Sequence, residues 1–424
     1  MKDLKKMYRS LLEDPFPGKL HLRLGDQELV FTKRTWTLQG TEKGLRYGEN
    51  PDQPAALFQL QQSGLTLGGV AFRTPKPGLV ASLDEGQMVQ AGKHPGKINL
   101  TDVDNGINIL QYLTAKPAAV ILKHNNPCGA GWSEDGLVSA LNKAFFCDRI
   151  AAFGGTVVCN RPLPEEAAEF INSSYFEVVA APEFEPGSLD ILKQRKNLRI
   201  LKLPGLAELE SLVNEPFLDV KSLVDGGLVL QASFRNRILS PEDLMTAQAS
   251  AEGTTVTARR PNEREGEDLL FAWAVEAGVT SNSVIFARDG ATVAIGTGEQ
   301  DRVGCVDLTI HKARIKYSDN LSFQETGLSI YQLRQKARTD SKHKDILQDI
   351  EARTDKARGG LPGSVLVSDG FFPFRDGVDL AIEQGVTAIA QPGGSLNDAE
   401  VIEAVNQADP QVAMAFTGQR SFKH

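Results

Sequence analysis

Short apolar runs rich in β-branched residues alternate along this chain with amphipathic stretches, the hydropathy pattern of strands taking turns with helices. AAVILK (118–123), GLVSALNKAFFCDR (136–149), TVVCN (156–160), PEEAAEFINSS (164–174) and FEVVAAP (176–182) read in order as β-α-β-α-β. The same order returns near the C-terminus as SVLVSD (364–369), DGVDLAIEQGV (376–386), TAIAQP (387–392), NDAEVIEAVNQAD (397–409) and QVAMAFT (411–417). The pattern predicts an α/β protein with two units of similar plan. Between them, PNEREGEDLLFAWAVEAG (261–278) carries apolar residues at helical spacing behind a proline, and SVIFARDGATVAIG (283–296) predicts two strands joined at Asp289-Gly290. Residues 1–40 alternate apolar and polar positions around LHLRL and LVFTKRTWTL, which predicts a small strand-rich extension.

At 424 residues the chain exceeds what one hydrophobic core usually fills, so two or three packed subdomains are expected. An apolar fraction of 41% against 24% charged residues supports a fold running through nearly the whole chain. The net charge of −8 argues against a broad nucleic-acid or anionic-membrane surface, so any phosphate must be met by local groups. The opening MKDLKKMYRSLLEDPFPG is charged at close intervals and lacks the apolar centre of a secretory signal, and no run approaches the ~18 apolar residues of a membrane span. Cys128, Cys147, Cys159 and Cys305 form no CxxC pair and fit reduced thiols, so the expected setting is cytoplasmic.

Lys123 and His124 close the first predicted strand in ILKHNNPCGAG, where ligand sites of α/β sheets form. A cation beside a group that exchanges protons near neutrality can stabilise an oxyanion and act as a general base. Taken alone, a Lys-His pair is more often a solvated loop cap. Cys128 in the same loop is a candidate nucleophile, set against the commoner inert thiol. A zinc deaminase needs His or Cys, any residue and Glu, followed by P-C-x-x-C. Here Cys128 is followed by GAG and no H-x-E occurs, so no metal centre is expected. AFGG is too short for a dinucleotide fingerprint and no GxxxxGK[ST] is present. RSFKH directly after an apolar run predicts a docked terminus, because free ends usually fray.

Taken in order, LRYGENP (45–51), KH-x-x-PCG (123–129), AFGG (152–155), SNSV (281–284), G-x-G-x-Q-x-R (296–302), SDGFFPFRD (368–376), QPGGS (391–395) and F-x-H (422–424) resemble one known family. It is the formyltransferase part of the bifunctional enzymes that act on aminoimidazole carboxamide ribonucleotide (AICAR) and also carry IMP cyclohydrolase. The resemblance implies two duplicated cytidine-deaminase-like α/β/α subdomains with an insert between them: an extension over 1–40, subdomains over 41–210 and 321–424, and the insert over 211–320. It implies transfer of the formyl group of 10-formyltetrahydrofolate to the 5-amino group of AICAR in purine biosynthesis, yielding formyl-AICAR and tetrahydrofolate. A homodimer with active sites at the subunit interface, no catalytic metal and room for a structural monovalent cation are implied as well. Only about forty residues precede LRYGENP where bifunctional relatives carry roughly two hundred, so cyclohydrolase activity is expected to be absent and a separate IMP cyclohydrolase to close the ring.

Carried over by motif, His124 is the proton acceptor and Lys123 the cation that stabilises the transition state. Arg46, Tyr47, Gly154, Glu177, Asn282, Phe371 and Arg420 match the AICAR-binding positions, and Arg302, Val303, Asp376, Ser395 and Leu396 those for folate. The residue types suit these tasks: arginine meets phosphate with a planar fork, aromatic rings cover a heterocycle, and glycine admits a close backbone. Glu177 stands where relatives often differ, and Asp52 replaces the histidine usual in bacterial RYGENPHQ. Two readings compete with this one: a formyltransferase using another folate or pterin donor, and a non-catalytic AICAR-binding sensor.

Overall fold

The computed structural model describes residues 14–38, 40–213, 215–250 and 253–424, so the first thirteen residues of the predicted extension lie outside the described residues. The chain forms two compact units. One comprises the chain up to Thr114 together with Gly154–Arg235, the other Ala115–Phe153 with Asn236–His424.

In the first unit, Thr156–Cys159, Val178–Ala181 and Arg199–Lys202 are parallel neighbours, and Met88–Gln90 adds an antiparallel strand beyond them. The first two strands are buried at every residue, so both faces of this sheet are covered. The strands expected around LHLRL and LVFTKR form as Lys19–Leu24 and Gln27–Arg34, in an antiparallel sheet with Leu57–Gln62 from beyond residue 40, packed over Leu29, Leu65 and Phe72. Leu218–Ser222 and Leu228–Ala232 make a two-stranded ribbon. Its register sets Val220 opposite Leu230 and Ser222 opposite Leu228, and these three apolar side chains are 44%, 40% and 56% exposed.

The second unit holds a mixed sheet in the order Met245–Thr246, Ala413–Phe416, Ala388–Gln391, Val365–Ser368, Val284–Arg288, Ala291–Gly296, Asn126–Trp132, Ala118–Lys123. The predicted C-terminal β-α-β-α-β run forms in register, with Val365–Ser368, Ala388–Gln391 and Ala413–Phe416 parallel and helices Asp376–Glu383 and Asp398–Gln407 between them. Glu263–Glu276 is helical as predicted. Its N-cap Asn262 accepts from the Glu265 amide and the Glu265 carboxylate accepts from the Asn262 amide, so the helix starts two residues after the proline. The Asp289-Gly290 turn closes the predicted hairpin, and buried Asp268 accepts from both turn amides.

One segment departs from the sequence reading. Asn126–Trp132, whose Asn, Pro and Gly content predicts a loop, is a strand antiparallel to Ala118–Lys123. Helix Leu137–Cys147 lies directly on it: a Cβ at Gly131 would come within 2.6 Å of the Lys143 Cβ, and one at Gly129 within 2.7 Å of the Cys147 Cβ. The glycines there serve close packing rather than turning. Because Gly131 pairs with Ala291, this hairpin joins the second unit, and the two units interleave along the chain.

Candidate functional site

In the second unit, the strand register gathers the motif loops at one end of the sheet. Val284 pairs with both Ser368 and Gly296, so Ser281–Ser283, Thr297–Asp301 and the loop after Ser368 share that end, where Gln391 and Phe416 also finish. A cleft of about 350 Å³ opens there, lined by Asn282, Arg302, Phe371 and Arg420 together with Pro373 and Phe422. Arg302 opens helix Arg302–Thr326 and is buried. Its Nη1 donates to the Ser283 carbonyl and Ser368 Oγ, each at 3.0 Å, and to the Asp369 carboxylate, while its Nη2 donates to Asn282 Oδ1 at 2.8 Å. Asn282 Nδ2 in turn donates to the Gln300 carbonyl at 3.0 Å. The amide of Asn282 is therefore held at both ends, its oxygen by a cation. The Ser281 hydroxyl donates to Asp369. Behind these groups, burial first and the neighbouring Asp369 second hold the Glu276 carboxyl well above the usual carboxylate range.

The tail is docked beside the cleft, as its sequence predicts. The Ser421 amide donates to the Asp369 carbonyl at 3.0 Å, the Ser281 amide donates to the Lys423 carbonyl at 3.0 Å, and Lys423 Nζ reaches the carbonyls of Asn125 and Gly278. The Arg420 guanidinium sits over the rings of Phe371 and Phe422, at 5.1 and 5.5 Å from their centroids, with its charge exposed.

Lys123 and His124 stand on the neighbouring hairpin. Lys123 pairs with Asn126, so His124 and Asn125 form a two-residue turn, with φ of 55° and 61°. A histidine in the left-handed region is uncommon and costs of order 1–3 kcal/mol, and here its ring is carried out to the surface. Lys123 Nζ donates to the Phe153 carbonyl at 2.7 Å. Asn126 Oδ1 accepts from the Thr280 amide at 2.9 Å and from Thr297 Oγ1 at 3.1 Å, which moors the hairpin to the loops beside Asn282. Of the other predicted residues in this unit, Val303 follows Arg302 in the helix, and Asp376 is exposed at the start of Asp376–Glu383. Ser395 and Leu396 lie on the turn that Asp398 holds through the Gly394 and Ser395 amides, with Leu396 98% exposed. Asn397 Nδ2 donates to the Pro373 carbonyl at 2.7 Å, tying this turn to the loop that lines the cleft.

Burial first, then the charge of Asp148, pushes the Cys128 thiol up to about 12. A thiol held that high stays protonated near neutrality, which argues against a nucleophilic role. We predict that Cys128→Ala keeps turnover within about twofold and that Cys128 resists iodoacetamide at pH 8. Rapid alkylation coupled to loss of activity would restore a thiol mechanism.

Four predicted residues lie in the first unit. The Arg46 guanidinium covers Tyr47, 4.5 Å from the ring centroid, and donates to the phenol oxygen at 2.6 Å. Gly154 has φ of 76°, a value L side chains rarely adopt, and its amide donates to the Tyr175 carbonyl at 2.7 Å. The Glu177 carboxylate accepts from the Tyr175 hydroxyl at 3.4 Å and lies 3.5 Å from Arg199. Gly154 and Glu177 are thus brought together through Tyr175. Arg199, Tyr175, Asp369 and Phe422 were not among the expected site residues. Arg199 opens the short strand Arg199–Lys202, whose two inner residues alone are apolar, and the sequence carries no further signal for it; Asp369 and Phe422 stand without an assigned role inside SDGFFPFRD and F-x-H.

Among the described residues, no group of three or more His, Cys, Asp or Glu is placed to hold a metal ion, and no helix is long and apolar enough to cross a membrane. A sequence model of the AICARFT/IMPCHase bienzyme family matches residues 19–312. The bifunctional purine biosynthesis protein PurH of Caldicellulosiruptor saccharolyticus is 34% identical over 384 residues, 91% of this chain and 60% of that protein. PurH of Sorangium cellulosum is 36% identical over 380 residues, 90% and 58% respectively, and that of Roseobacter denitrificans 35% over 383, 90% and 59%. The chain spans about 60% of the length of these relatives. With the family sequence matched over more than half the chain, and the motif loops converging on one cleft, this chain belongs to the AICARFT/IMPCHase bienzyme family.

Proposed function

We propose that this protein transfers the formyl group of 10-formyltetrahydrofolate to the 5-amino group of AICAR and lacks cyclohydrolase activity. The observation that carries the reading is the meeting, at one end of one sheet, of the moored Lys123–His124 turn with the cleft of Asn282, Arg302, Phe371 and Arg420. The amine is a weak nucleophile because its lone pair is conjugated into the imidazole, so it must be oriented and deprotonated as it attacks. The amine nitrogen bonds to the formyl carbon while a His124 ring nitrogen takes one proton, and Lys123 faces the oxyanion of the tetrahedral intermediate. Collapse breaks the bond from the formyl carbon to N10 of the folate, and a proton returns to that nitrogen, which leaves as tetrahydrofolate.

In this reading Arg46, Tyr47, Gly154, Glu177, Asn282, Phe371 and Arg420 bind AICAR, and Val303, Asp376, Ser395 and Leu396 face the folate. Arg302 serves the folate side while holding the Asn282 amide. The two parallel strand-helix runs, ending at Lys202 and at Phe416, support duplicated deaminase-like subdomains. The apolar ribbon face of Val220, Leu228 and Leu230 supports a homodimer. No step passes through a metal; a structural monovalent cation is tested by comparing unfolding temperature in sodium and potassium salts. A cytoplasmic setting and a separate ring-closing cyclohydrolase complete the proposal.

The test is absorbance-monitored conversion of AICAR and 10-formyltetrahydrofolate by purified protein, with the product identified by mass and the sedimentation coefficient measured on the same sample. Formyl-AICAR that accumulates, from a dimer, is the expected result. Direct formation of IMP would overturn the missing cyclohydrolase, and AICAR binding without turnover with any formyl donor would favour a sensor.

A further inference from the structure

Arg199 opens the strand Arg199–Lys202 and is only 2% exposed. Burying a guanidinium is costly unless its partners repay the lost water. Burial is the leading influence on its pKa and lowers it, and the like charge of Arg46 lowers it further. Among the described residues, its ion-pair carboxylate is that of Glu177, 3.5 Å away and 40% exposed, a geometry that contributes little to stability by itself.

The guanidinium instead joins two loops. Nη1 donates to the Glu177 carbonyl at 3.3 Å and Nη2 to the His94 carbonyl at 3.3 Å, while the Arg199 amide donates to the Glu177 carbonyl at 3.0 Å. His94 lies on a separate segment, 93–97, that is hydrogen-bonded to the segment carrying Arg46 and Tyr47. The Lys93 carbonyl accepts from Arg46 Nη1 at 3.2 Å, the Pro95 carbonyl from the Arg46 amide at 3.0 Å, and the Tyr47 carbonyl from the Lys97 amide at 3.0 Å. His94 Nε2 is itself bonded to the Gly44 carbonyl at 2.6 Å. One buried side chain thus links the segment bearing Glu177 to the His94 segment, which in turn holds Arg46 and Tyr47.

We propose that Arg199 is a positioning residue that sets the spacing between Glu177 and the Arg46–Tyr47 pair, and through that spacing the affinity for AICAR. The inference rests on the reading that these three residues bind AICAR. A lysine keeps the charge but has no planar fork, so it cannot hold both carbonyls at once.

The test compares wild type, Arg199→Met, Arg199→Lys and Arg199→Met/Glu177→Ala, using calorimetric AICAR affinity, the KM for each substrate and the unfolding temperature. Arg199→Met should weaken AICAR binding about tenfold with the folate KM unchanged, Arg199→Lys should fall between, and adding Glu177→Ala should weaken the Met variant by less than about twofold. AICAR affinity within twofold of wild type in Arg199→Met, or equal rises in both KM values, overturns the assignment. Should the Met variant not fold, Arg199→Lys decides: about threefold weaker AICAR binding at an unchanged unfolding temperature supports positioning, and unchanged affinity overturns it. Wild-type protein that binds AICAR without turning it over would sink the formyltransferase reading and leave this comparison intact.

Discussion

Replacing His124 with alanine is expected to lower kcat by about 10²–10⁴ while AICAR binding persists, the loss typical when a general base is removed. The turn makes a cleaner variant available. His124 occupies the left-handed region at φ of 55°, which asparagine tolerates better than most residues. His124→Asn should therefore fold at least as stably as wild type and still lose turnover, separating chemistry from scaffold. Single-turnover rates with calorimetric AICAR affinity provide the check. Near-wild-type turnover in either variant would remove His124 from the proton transfer and leave its backbone conformation as ordinary turn geometry.

Arg302→Met is expected to cost about 3–5 kcal/mol of stability, read as a lower urea midpoint, because it leaves buried charge without a counter-ion. Asp369 and Glu276 are both fully buried beside Arg302, and Asp369 is its direct ion-pair partner. Adding Asp369→Asn should recover most of that loss, since the double variant no longer buries an uncompensated carboxylate at 369. AICAR or folate affinity should not recover with it, because Asn282 Oδ1 would still lack the donor that fixes its amide. A single variant as stable as wild type would mean that the pair does not hold these loops, and the cleft would need another organising group.

Much of the scaffold was legible from local pattern. The strand at Ala118–Lys123 coincides with the run AAVILK, and the five-element C-terminal series falls where alternating runs placed it. Asp289-Gly290 makes the turn its chemistry suggests, since both residues accept positive φ. The docked tail was legible too, because aromatic and cationic residues close the chain shortly after an apolar run, where a free end would fray. Asn126–Trp132 was not: its Asn, Pro and Gly content mimics a loop, and only the helix lying against Gly129 and Gly131 explains that content.

The candidate site divides in the same way. Motif order named Lys123, His124, Asn282, Phe371 and Arg420 and suggested the chemistry that such groups perform. It could not reveal that Arg302 is buried, that its carboxylate partner stands 67 positions away, or that Arg199 ties Glu177 to the segment around His94.

By itself, the sequence determined the alternation of strands and helices, the turn at Asp289-Gly290 and the residues able to do acid-base and anion-binding work. These depend on period, backbone preference and side-chain chemistry, which neighbouring residues encode. Tertiary structure decided which strand Gly131 would pair with, which charges would lose their water, and which of the motif loops would share one end of a sheet. Those outcomes depend on partners far apart in the chain, and the free energy of a buried charge has no value until its partner is in place.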